Sequence, residues 1–216
     1  MRVEIWSDIA CPWCYIGKAR FEKGLAEFAH RDEVEVVHRS FELDPGRAKG
    51  QTEQVIDMLA TKYGRTREEA ASMEANVAAN AQAEGLGYRT EGRDHGNTFD
   101  IHRLLHLAKA RGRQDELLTL AYRANFAEER SVFDDDVLLA LAVEAGLDAD
   151  EARAVLADPR RTPTRSGPTS ARRPSWAPTR CRSSCSTGGT GSPGASPPRS
   201  SSRRWSRPGR TARSPR

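Results

Sequence analysis

Cys11 and Cys14 enclose Pro12 and Trp13 in the run Cys11-Pro12-Trp13-Cys14. Two thiols at that spacing fall on one helical turn, close enough to close a disulfide. At the start of a helix, Cys11 would face backbone N–H groups that lack carbonyl partners and the positive end of the helix dipole. Both favour a thiolate and lower the thiol pKa. Cys14, one turn further in, is expected to be shielded and suited to resolving a mixed disulfide. The competing chemistry is half of a zinc site, which needs a second ligand pair. Pro12 is tolerated at a first helical position, and with Trp13 it suits a redox helix better than a zinc knuckle. The reading is therefore Cys11 and Cys14 as catalytic residues, with Pro12 and Trp13 supporting them. No metal and no bound cofactor are expected beyond the redox disulfide itself. The expected partners are protein or small-molecule thiols and disulfides, with glutathione a candidate co-substrate.

The surrounding pattern predicts what holds that pair. Val3-Glu4-Ile5-Trp6-Ser7-Asp8 alternates and is rich in strand formers, so it reads as a strand. Trp13, Ile16, Phe21, Leu25 and Phe28 recur at helical spacing, predicting a helix from Pro12 to about His30. A second strand follows from Val34 to Phe41, halted by Leu43-Asp44-Pro45. The opening is thus β-α-β with the cysteines at the strand-to-helix turn. From residue 52 onward the periodicity is helical, over residues 52–63, 66–84, 98–111, 114–127, 134–145 and 150–157. Gly64, Gly85, Gly112 and Gly146 supply the stops. No further strand is predicted, and a parallel pair does not make a sheet alone. Residues 1–45 read as the β-α-β part, 46–157 as a helical insertion and 158–216 as an aberrant, disordered tail.

That tail changes what the composition means. Residues 161–216 hold 13 of the 34 basic side chains and no acidic one, so the preceding 160 residues carry 21 basic against 30 acidic groups, a net of −9. The overall +4 averages two unlike objects, and the acidic part would repel a phosphate backbone. The tail uses Arg, Ser, Pro, Thr, Gly, Ala, Trp and Cys only, with no Leu, Ile, Val, Met, Phe or Tyr to build a core. These eight are the complete set whose codons can carry G or C in the middle. A GC-rich gene read one step out of phase produces that set. Returned to phase, Cys181 becomes a codon ending in TG, for valine, leucine or methionine. Arg182 becomes CCG or TCG, with proline the preferred reading. The four positions Ser183 to Ser186 become apolar, and Thr187 becomes a polar stop. Cys181–Thr187 thus hides a buried strand opening on proline, and its two cysteines are not metal ligands.

Two stretches carry a family resemblance. Ser7-Asp8-Ile9-Ala10-Cys11-Pro12-Trp13-Cys14-Tyr15-Ile16-Gly17 and Asn97-Thr98-Phe99-Asp100-Ile101-His102-Arg103-Leu104 resemble the FrnE-like branch of the DsbA-family thioredoxin-fold oxidoreductases. The resemblance covers about residues 1–157. It implies an α/β, thioredoxin-like fold with a large all-helical insertion, and thiol–disulfide exchange with Cys11 attacking and Cys14 resolving. It also implies a cis-proline after a small apolar residue, facing the cysteine pair, which the rephased Cys181-Arg182 would provide. As written, the chain lacks that proline, the later strands and the closing helix, so weak or absent activity is expected.

Kappa-class glutathione transferases and hydroxychromene-carboxylate isomerases resemble this chain in the helical insertion, but they use a serine-type residue where this chain has cysteines. A non-enzymatic alternative is an Arg-rich, RNA-binding tail, with Trp176 and Trp205 stacking on bases. His102 and His106, four apart on one helix, could bind a metal but read as a structural face. Asp8 and Lys18 flank the cysteine helix, and either is a candidate for tuning Cys11. No apolar run of 18 residues occurs, so no membrane span is predicted. With no signal-peptide pattern before the first strand, the expected location is cytoplasmic.

Overall fold

The computed structural model describes residues 1–128 and 130–158. Strand β1 (Arg2–Ser7) lies parallel to β2 (Glu35–Ser40), in a register running from Arg2 opposite Glu35 to Ser7 opposite Ser40. Parallel neighbours need a crossover, and α1 (Pro12–Glu27) provides it. The crossing leaves Cys11 at the carboxyl end of β1, where strand hands over to helix. Glu4 fixes the pair further by accepting from Arg2 and Arg39, each at 2.8 Å.

Helix α1 ends three residues earlier than its apolar spacing predicts. Phe28 is extended (φ −76°, ψ 126°) and its N–H returns to Leu25 O at 3.1 Å. His30 therefore does not close α1 but precedes a short 3-10 turn at Arg31–Glu33. A second correction concerns strands. β3 (Glu53–Gln54) pairs antiparallel with β4 (Asp94–His95), two residues each, within a region read as wholly helical. Two-residue strands have no periodicity to display, and their pairing joins positions about forty residues apart. The expected tail strand at Cys181–Thr187 and, apart from Asp158, the disordered tail expected over 158–216 lie outside the described residues.

The remaining helices are α2 (Val55–Tyr63), α3 (Arg67–Ala83), α4 (Phe99–Ala110), α5 (Gln114–Phe126), α6 (Asp135–Glu144) and α7 (Ala149–Ala157). Three of these helices, α3, α6 and α7, start on side-chain caps that occupy otherwise unpaired N–H groups. Thr66 and Glu69 form a reciprocal capping box on α3, while Asp134 and Asp148 each accept two backbone N–H groups, opening α6 and α7. Gly64 stops α2 in a left-handed conformation (φ 60°) that a side chain would oppose.

One core joins the cysteine turn to α4, α5, α6 and α7. In α4, Ile101, Leu104, Leu105 and Ala108 recur at positions i, i+3, i+4 and i+7 and all are buried. They pack with Leu117, Leu118, Tyr122 and Phe126 of α5 and with Leu138 and Leu141 of α6; Ile9 and Tyr15, on either side of Cys11, belong to the same cluster. Tyr15 stacks on Phe126 at 5.1 Å between ring centroids, and Tyr88 stacks on Phe126 at 5.6 Å. Each fully buried side chain of this size stabilises the fold by about 1.5–3 kcal/mol. The cysteine turn is thus seated on the helical layer.

Candidate functional site

The site begins at the end of β1. Asp8 to Cys11 form a tight turn in which the Cys11 N–H donates to Asp8 O at 3.2 Å. Cys11 is the N-cap of α1 with an extended backbone (φ −94°, ψ 109°), and Pro12 takes the first helical position, where its missing N–H costs nothing. The Cys11 carbonyl then accepts the N–H groups of Cys14 at 3.0 Å and Tyr15 at 3.3 Å. Cys11 and Cys14 are therefore on the first turn of one helix, as their spacing predicts.

Burial runs opposite to expectation. Cys11 is 5% exposed, whereas Cys14 is half-buried against the edge of the core. The tight turn draws Cys11 inward, towards Tyr88 and Tyr122. Burial pushes the Tyr88 hydroxyl well above its usual range, and nearby Cys11 adds to the push. The Tyr122 hydroxyl is likewise raised, by burial first and then by Cys14, with Cys11 and Asp8 adding and a Ser7 hydrogen bond opposing. Trp13, between the cysteines, is 38% exposed and marks where the pair meets solvent.

Tyr122 and Asn125, which sequence reasoning did not single out, hold this turn from behind. The Tyr122 hydroxyl donates to Asp8 O at 3.4 Å and the Asn125 amide donates to Ile9 O at 2.9 Å, both from α5. His102 on α4 meets the Asp8 carboxylate through Nε2 at 3.3 Å. His102 and His106 hence do what a structural face does, since His106 Nε2 also pairs with Ser40 of β2 at 3.1 Å. Lys18 bonds to Asp115 at 3.0 Å, to Thr119 at 3.1 Å and to Glu22, which ties α1 to α5. Among the described residues, no three His, Cys, Asp or Glu side chains are grouped so as to hold a metal ion. No described helix is long and apolar enough to cross a membrane.

Beside β2 lies a small cleft, with room for about one water molecule, lined by Ser7, His38, Ser40, His102, Gln114 and Leu118. Three histidines of this region and the β3–β4 ladder are poised to respond to acid. Burial holds His38 below its ordinary 6.5, against an upward pull from Asp115; it holds His106 down with help from His102; it holds His95 down with help from Arg47. Between those lowered values and the unfolded value of about 6.5, the unfolded chain binds more protons, so stability rises with pH in that window. The melting temperature should therefore fall between about pH 7.5 and about pH 5.5. A midpoint that stays constant or rises on acidification would contradict this.

The β-α-β unit, the cysteine turn at its strand-to-helix junction and the helical layer beneath it define a thioredoxin-like fold of the DsbA type. The model of the DSBA-like thioredoxin domain matches residues 2–166, and the chain belongs to that family. A crystal structure of a probable DsbA oxidoreductase from Streptomyces coelicolor is 69% identical, covers 74% of this chain and 69% of its own, and superposes with a TM-score of 0.72. The protein YwbO of Bacillus subtilis (strain 168) is 28% identical over 159 residues, 72% of each chain. A 2-hydroxychromene-2-carboxylate isomerase shares the fold at 13% identity, with a TM-score of 0.53 and coverage of 74% of this chain and 72% of its own.

Proposed function

We propose that this chain exchanges thiols and disulfides through the Cys11–Cys14 pair, with protein or small-molecule disulfides as clients and a glutathione-class thiol as co-substrate. The observation that carries the reading is the placement of Cys11 as N-cap of α1, with Cys14 on the same turn. The Cys11 thiolate attacks one sulfur of a client disulfide; the client S–S bond breaks and the departing sulfur takes a proton. Cys14 then loses its proton and attacks the Cys11–client disulfide. The Cys11–Cys14 bond forms and the second client sulfur leaves as a thiol. The client gains two electrons and two protons, and two equivalents of small thiol return them to the pair.

The isomerase likeness is one of fold alone. Its relatives' serine-type chemistry has no counterpart here, because a cysteine occupies the helix start. The written tail bears on performance. We infer that codons after about residue 160 are out of phase, so the substrate-facing proline expected opposite the cysteines is lost and exchange by this chain is slowed. The abrupt change of composition supports that inference.

Cys14→Ser tests the assignment of roles. With the resolving thiol gone, incubation with glutathione disulfide should leave a stable mixed disulfide on Cys11, visible as one glutathione added to the intact mass. Cys11→Ser should gain it far more slowly. Equal labelling of the two variants, or none of either, would sink the reading.

A further inference from the structure

We propose that the small cleft beside β2 is a built site for one internal water molecule, which bridges Nδ1 of His38 to Nδ1 of His102 and so ties β2 to α4. The inference stands apart from the thiol–disulfide reading above, because it concerns the frame that carries the cysteine turn and not the sulfurs.

The cleft lies where β1 and β2 end together. Ser7 and Ser40, opposite one another in the parallel register, line it with His38 of β2, His102 of α4 and Gln114 and Leu118 of α5. The other polar groups named here already have protein partners. Ser40 meets His106 at 3.1 Å, the Gln114 amide donates to the carbonyls of Leu105 at 3.4 Å and His38 at 3.5 Å, and the Ser7 side chain is hydrogen-bonded to Tyr122. Two ring nitrogens differ. His38 Nδ1 and His102 Nδ1 are both buried, and neither has a hydrogen-bond partner among the described residues.

Each ring is engaged at its other nitrogen. His102, 4% exposed, turns Nε2 to Asp8 at 3.3 Å, and His38 turns Nε2 towards Asp115 at 3.7 Å. The two nitrogens of an imidazole point to different sides of the ring, so neither Nδ1 can share the partner of its own Nε2. A buried polar atom left unmet is costly, and an internal water needs polar neighbours and space. The cleft offers both, with room for about one molecule. Water suits any tautomer of either ring, because it has two protons to donate and two lone pairs to accept with. Among the described residues no third His, Cys, Asp or Glu is grouped with these two rings to make a metal site. With the water in place, Asp8, His102, the water and His38 form one line from the end of β1 through α4 to β2. His102 is then held at both nitrogens, which keeps its Nε2 on the Asp8 carboxylate.

A high-resolution crystal structure tests the site directly. One water should lie within about 2.7–3.2 Å of both nitrogens. A cleft closed by side chains, or a water bonded to one nitrogen or to neither, overturns the proposal. In solution, magnetic relaxation dispersion of water oxygen-17 counts long-lived internal waters. His38→Leu removes Nδ1 and should lower that count by about one, whereas His38→Asn, whose amide reaches the place of Nδ1, should keep it. An equal count in the unsubstituted chain and in His38→Leu overturns the proposal. So does a loss in His38→Asn equal to that in His38→Leu. Should His38→Leu fail to fold, the crystal structure and the count in His38→Asn still decide.

Discussion

Cys11→Ser is expected to lower disulfide reduction, followed as insulin precipitation under a fixed concentration of small thiol, by about a thousandfold or more, since no other group can replace a removed nucleophile. A hydroxyl at the same N-cap could accept backbone N–H groups as serine normally does, so the helix start should survive or even gain stability. The loss would then be chemical and not a failure to fold, and an unchanged melting temperature would show this. The background matters, because the written chain is inferred to be slowed already. The sharper comparison is made in a version with the codons after residue 160 returned to phase. That version should exceed the written chain in rate, and Cys11→Ser should remove activity from both. Should the rephased version prove no faster, the out-of-phase account of the tail is wrong while the cysteine assignment stands. Should Cys11→Ser retain rate in either, the cysteine assignment itself is wrong.

The parts of this site that were legible in the sequence are the local ones. A strand, two cysteines, a proline at the helix start and an amphipathic helix lie within the first thirty residues, and each is announced by spacing or by residue type. The support was not legible. Asp8 and His102 lie 94 positions apart, and Asn125 reaches Ile9 across 116. Nothing in a periodic pattern links a histidine on one helix to a carboxylate at the end of a distant strand. His102 read as one member of a helical face, which is true of its backbone and silent about its Nε2. The burial of Cys11 was missed for a related reason. Depth along a helix is readable from spacing, whereas the inward turn from Asp8 to Cys11 depends on Tyr122 and Asn125 pulling on two carbonyls. The β3–β4 ladder failed for want of length, since two residues carry no alternation.

Arg103→Met is expected to destabilise the fold by about 3–5 kcal/mol, the usual cost of removing one partner of a buried ion pair. Arg103 is 3% exposed; it donates to Asp100 at 2.7 Å and its other guanidinium nitrogen contacts the carbonyls of Val155 and Asp158 at the end of α7. Methionine keeps the apolar stem but none of the donors, so the carbonyls of Val155 and Asp158 lose the bonds from Arg103. Among the described residues, Asp100 would keep its ion pair with Lys49, at 2.8 Å and half exposed. Helix α7 has nine residues, too few to persist without tertiary support, so its order depends on this arginine and on packing by Ala152, Val155 and Leu156. Arg103→Lys should fall between the two, because a single ammonium cannot serve a carboxylate and two carbonyls in the geometry of a planar fork. Urea denaturation measures the loss, and hydrogen exchange should place its first sign in α7; a change under about 1 kcal/mol would mean that Arg103 is not the tie its contacts describe. Adjacent residues on a helix point about 100° apart, so Arg103 faces α7 while His102, one position before it, faces Asp8. In the absence of denaturant, Arg103→Met should therefore leave the glutathione equilibrium of the cysteine pair where it was. The duty of Arg103 would then be one of stability, separable from the chemistry of the cysteine pair.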